Sequence, residues 1–94
     1  MENGNTVLAL EVLISKCFTD VWPGREISAQ SVHAFIRGAL KGAQYQKKDI
    51  GLARKNLKIR SECVNGEYVW CWENERDPNE IWESKSKQYW EACM

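Results

Sequence analysis

The sequence is poor in the residues that assemble most catalytic and metal centres. Histidine occurs once, at His33, and the four cysteines, Cys17, Cys63, Cys71 and Cys93, form no CxxC pair. A zinc site built from them would be almost all thiolate at irregular spacing, so no metal is expected. They read instead as small buried hydrophobes in a reducing compartment, with Cys93 the most exposed. No glycine-rich phosphate loop and no nucleophile–base pair is present, so the reading is of a non-enzyme with no cofactor and no small-molecule substrate. Long apolar runs are missing too. The stretch VLALEVLI (7–14) is short, carries Glu11 and lacks a basic leader, which predicts neither membrane anchor nor signal peptide and a cytoplasmic setting.

Net charge is also absent, since 13 bases balance 13 acids, but the balance is not local. Residues 41–61 hold Lys41, Lys47, Lys48, Arg54, Lys55, Lys58 and Arg60 against Asp49 alone, seven bases to one acid, a net of plus six. Residues 62–94 carry eight acids against Arg76, Lys85 and Lys87, a net of minus five. A block with that much excess positive charge is a solvated helix face or a seat for a polyanion. At 94 residues, 44% of them apolar and five of them tryptophan, the chain is one packed domain.

Helical spacing of Val7, Leu10, Leu13, Ile14, Cys17 and Phe18 predicts a first helix over 5–18, capped by Asn5 or Thr6. Pro23-Gly24 makes 20–26 a loop, with Trp22 packed on the core. A second helix over 28–43 is capped by Ser28 and buries Val32, Phe35, Ile36, Ala39, Leu40 and Ala43. Gly38 and Gly42 cost it about 1 kcal/mol each relative to alanine, which close helix packing would offset. His33, beside the stripe, reads as structural. A third helix, 47–57, buries Ile50, Ala53 and Leu57 and turns Lys48, Leu52 and Lys55 to the opposite side, with Gly51 beside them and Lys47 and Arg54 on the flank. Strands over 58–63 and 67–73 join through Val64 and Asn65-Gly66, a pair suited to a type I′ turn. That register puts Ile59, Ser61, Cys63, Tyr68, Trp70 and Trp72 on a buried face and Arg60, Glu62, Glu67, Val69 and Cys71 on the other. The segment 77–94 is a fourth helix with Asp77 as cap and Pro78 in its first turn.

Helix, helix, basic helix and hairpin in that order describe an α+β winged helix-turn-helix domain: a three-helix core over 1–76 with a two-stranded β-hairpin wing, and an extra C-terminal helix over 77–94 in the same domain. The runs ALKGAQYQKKDIGLARKNLKI and YVWCW, about a third of the chain, resemble the small winged-helix modules of phage and mobile-element proteins, including C-terminal modules of helicase-primase-like ATPases. In this chain Gln44 and Gln46 stand at that family's turn glycine and helix cap, Lys58 stands at the glycine closing the third helix, and the wing tip from Glu62 to Glu67 has two acids and no base. The resemblance implies an accessory or regulatory factor of a phage, plasmid or mobile element.

A basic helix of this kind fits the major groove of double-stranded DNA. Gln46, Lys47, Lys48 and Leu52 are placed to meet base edges, and Gly51 to let the backbone approach them. Arg54, Lys55, Lys58 and Arg60 suit phosphates. Leu52 could equally cover a partner. Trp82, Tyr89 and Trp90 give the fourth helix more aromatic surface than one face can bury, which suits a homodimer through that helix or a protein-interaction adaptor that does not bind DNA. Tyr45, the only exposed aromatic expected in the basic block, leaves little stacking capacity for RNA.

Overall fold

The computed structural model describes residues 3–22, 24–41 and 45–93, with the side chains of 3–5 and 93 excepted. The order of elements is α1 (Asn3–Thr19), β1 (Glu26–Ser28), α2 (Ala29–Ala39), α3 (Lys47–Asn56), β2 (Ile59–Val64), β3 (Glu67–Trp72) and α4 (Pro78–Cys93). The strands form an antiparallel sheet in the order β1-β3-β2. The protein is therefore α+β, with four helices and three strands among the described residues.

β1 corrects the expectation of a loop followed directly by a helix. Glu26, Ile27 and Ser28 lie against Cys71, Trp70 and Val69, so the hairpin has a third strand at its side and β3 is central. The hairpin itself follows the expected register, Ile59 facing Trp72 and Val64 facing Glu67. Positive φ at Asn65 (53°) and Gly66 (83°) gives the turn that Asn-Gly favours. Burial grades along this ribbon rather than covering one whole face. Ile59, Trp70 and Trp72 are buried, but Ser61, Cys63 and Tyr68 near the tip are exposed. On the reverse face Cys71 is buried, its Sγ 3.6 Å from Glu62 Oε1, and burial pushes its thiol above the ordinary value. Cys63 is thus an exposed thiol rather than a core residue, while Cys17 sits in the core, raised to about 11 by burial and the nearby Asp20 carboxylate.

One core unites the elements. Leu10, Ile14 and Phe18 of α1 meet Val32 and Ile36 of α2, Ile50 and Ala53 of α3, and the Trp70 and Trp72 rings. Phe18 and Trp72 stack at 5.2 Å between centroids, tilted by 47°. Trp72 Nε1 donates to Arg76 O at 2.9 Å, so the indole enters the core with its polar edge satisfied. Trp22 is half-buried against this core, under the Arg25 guanidinium at 4.6 Å. His33 packs edge-on to Trp70 at 5.6 Å, and burial, followed by Arg37 and Lys47, holds its imidazole below the ordinary value.

The helix ends differ from expectation in informative ways. α1 begins at Asn3, ahead of the expected caps Asn5 and Thr6. α2 starts where Ser28 caps it, the hydroxyl accepting from the Ser31 N–H, and ends at Ala39 with Leu40 as its C-cap. Ala43, Gly42 and Gln44 lie outside the described residues. Val32 and Ile36 are the buried residues of α2; Phe35 is 43% exposed and Ala39 is exposed. Gly38 is exposed as well, and a Cβ placed there would meet nothing within 4 Å, so close packing does not explain it. α4 starts as expected, with Asp77 Oδ1 accepting from the Glu80 N–H at 2.8 Å. It runs antiparallel to α1, since Lys85 meets Glu11 and Trp82 lies under Lys16.

Candidate nucleic-acid interface

α3 is fixed from both ends and from behind. At its start the Asp49 carboxylate turns back to accept from the Gln46 N–H at 3.0 Å, satisfying a donor that the first turn leaves open. This is the only acid in the basic block, and it is buried. Ile50, Ala53 and Leu57 anchor the inner face. At the other end Lys58 takes φ 59°, the left-handed bend that glycine usually supplies. The turn is held by Glu73 N–H donating to Lys58 O at 3.2 Å and Asn74 Nδ2 donating to Leu57 O at 3.1 Å.

The consequence is an outer surface of one sign. Lys47, Lys48, Lys55 and Lys58 are exposed, and among the described residues none of them makes an ion pair. Gln46 opens this surface and Leu52, 50% exposed, sits in its middle. A Cβ at Gly51 would meet nothing within 4 Å, so the fold itself does not require glycine there.

The arginines behave differently. Arg54 Nη1 donates to Ile59 O at 2.9 Å and the guanidinium lies 5.9 Å from the Trp70 centroid, so this side chain braces the start of β2. Arg60 is held by Glu62 at 3.0 Å and Glu73 at 2.6 Å; it keeps the Glu62 carboxyl below its usual range, and the two acids raise its own value. Of the four residues expected to meet phosphates, Arg54 and Arg60 are thus engaged inside the protein, and Lys55 and Lys58 are not. Tyr45, expected to be exposed, is half-buried against the core.

Beside α3 lies a groove of about 730 Å³ between α1, α3 and α4, with Leu8, Lys48, Leu52 and Gln88 on its walls. Its floor holds the buried Glu11, which sequence reading left as a charge in an apolar stretch. Glu11 accepts from Asn56 Nδ2 at 2.7 Å and pairs with Lys85 Nζ at 3.0 Å, joining three helices through one carboxylate. A charged residue at a core-spaced position is the signal the sequence carries; its partners lie far along the chain and leave no local mark. Of the three aromatics expected at an interface, Trp82 is half-buried under Lys16, Tyr89 is half-buried, and Trp90 is 67% exposed. Among the described residues no cluster of His, Cys, Asp or Glu has metal-ligand geometry, and no helix is long and apolar enough to cross a membrane. Comparison with protein-family models, with curated proteins and with solved structures finds no match to this chain.

Proposed function

We propose that the protein is a winged helix-turn-helix that binds double-stranded DNA through α3, as a small accessory or regulatory factor. The observation that carries this reading is the surface of Lys47, Lys48, Lys55 and Lys58, which no acid among the described residues pairs with, Asp49 being turned inward. Cations that a fold leaves without partners gain most by displacing counterions from a phosphate chain. A helix fits the major groove, where lysine meets guanine acceptors, glutamine pairs with adenine and an apolar side chain touches the thymine methyl. Gln46, Lys48 and Leu52 take those roles, and Lys47, Lys55 and Lys58 take phosphates. Gly51 lowers the surface between them at a cost of about 1 kcal/mol of helix stability, a cost without return inside the fold.

The antiparallel β1-β3-β2 sheet beside α3 supports the winged-helix reading. The hairpin serves as a brace rather than a clamp, because its tip is acidic and Arg60 is already paired. A phage, plasmid or mobile-element setting rests on the resemblance of the α3 and YVWCW segments alone. The adaptor reading draws on the groove next to Leu52 and on exposed Trp90. Selection of bound duplexes from a random pool separates the two: DNA binding yields an enriched motif, and an output pool indistinguishable from the input overturns it.

A further inference from the structure

The sheet has one long open edge. β3 is covered on both sides, and β1 is three residues long, but β2 has six residues and, among the described residues, no strand on its outer side. The two-residue turn makes Val64 and Glu67 a hydrogen-bonded pair, so Arg60, Glu62 and Val64 direct their backbone groups to β3. Ile59, Ser61 and Cys63 direct theirs outward. Arg54 takes the Ile59 carbonyl, which retains a second lone pair. The outward groups of Ser61 and Cys63 have no partner in the described residues.

We propose that this edge pairs with β2 of a second copy, antiparallel about a two-fold axis through Ser61. Two arguments, independent of DNA binding, select this occupant and this register. A two-fold antiparallel pair sets each residue opposite one fixed by the centre. Centred on Arg60 or on Glu62, it opposes like charges across the axis; centred on Ser61, it sets Arg60 of each copy opposite Glu62 of the other, twice. The same centre joins the outward-facing residues to one another, Ser61 to Ser61 and Ile59 to Cys63, as a hydrogen-bonded ladder requires. Arg60 and Glu62 are the closest exposed charges along this edge and already meet at 3.0 Å within one chain, so their heads lie at the height where the second copy's would arrive. The product is one continuous sheet with three strands from each copy. Both α3 helices lie on its same face, because α3 packs with Ile59 and Trp70 on the core side. Unpaired strand edges commonly recruit a further strand in this manner, and a two-fold contact needs a self-complementary patch of this kind.

Charge exchange tests it without relying on contacts inside one chain. Sedimentation of the wild type should show a concentration-dependent dimer, weakened at least tenfold in Arg60→Glu alone and in Glu62→Arg alone. Mixing those two variants should restore it as a heterodimer, since only between the copies are the signs again opposite. In a Cys63→Ser, Cys93→Ser background, Ser61→Cys should form a disulfide-linked dimer under mild oxidation, because residues in a hydrogen-bonded pair have Cα atoms about 5.5 Å apart. Circular dichroism of each variant confirms the fold. A wild type that stays monomeric to millimolar concentration, a mixture that does not associate, or ready disulfide-linked dimers of the Cys93→Ser variant through Cys63, about 13 Å from its equivalent in this register, would each overturn the proposal.

Discussion

The outer face of α3 and the hairpin–α4 side of the molecule are built from the same residue types and put largely to opposite use. On α3, lysines stand in solvent with no acid among the described residues within ion-pair distance. On the hairpin and around α4, three basic groups are committed, Arg60 to Glu62 and Glu73, Arg76 to Glu80, and Lys85 to the buried Glu11, and Lys87 makes no ion pair among the described residues. Lys48 and Lys85 line the same groove and still fall on opposite sides of this division. The difference is one of geometry. Asp49, the one acid among residues 41–61, is used as a helix clamp, whereas Glu62, Glu73 and Glu80 lie beside arginines.

Breaking the comparison from the uncommitted side should have the largest effect. Lys48→Glu with Lys55→Glu replaces one base contact and one phosphate contact by two repulsions and should lower duplex affinity several hundredfold, roughly 3.5 kcal/mol at physiological salt. The melting temperature should not change, because neither side chain is paired. A loss of stability without loss of binding would erase the distinction. From the committed side, Lys85→Ala leaves the Glu11 carboxylate buried with Asn56 as its remaining partner. Unfolding titrations should show a loss of about 2–3 kcal/mol, below the range for a fully buried pair because Lys85 is 26% exposed. Gly51→Ala is the finest test. It should raise stability by up to about 1 kcal/mol, since the added methyl meets nothing and alanine favours the helix. Duplex affinity should fall at the same time. A variant both more stable and equally tight would remove the role given to that glycine.

How far the sequence revealed this depended on the range of the interaction. The hairpin register was legible because Asn65-Gly66 is a local turn signal and the alternation of Trp70 and Trp72 is strict. The start of α4 was legible because Asp77 and Pro78 act within one turn. β1 was not, since three residues of partial burial carry no readable period and their partners lie some 40 positions on. Arg54 and Arg60 were assigned to phosphates because counting charge finds an excess of bases without finding which acid or carbonyl each one meets. Phe35 was assigned to the core by spacing, whereas α2 is too short and too lightly covered for its whole stripe to be buried. The inward turn of Asp49, on which the candidate site depends, follows a capping rule that reaches only three residues.

The salt dependence of duplex binding addresses the central claim most directly. Three lysines on phosphates, Lys47, Lys55 and Lys58, without Arg54 or Arg60, predict a slope of log affinity against log salt of about −2.7, and Arg60→Ala should leave it nearly unchanged. A slope near zero between low and physiological ionic strength would contradict the account, because lysines left without partners by the fold would then have found no phosphates either.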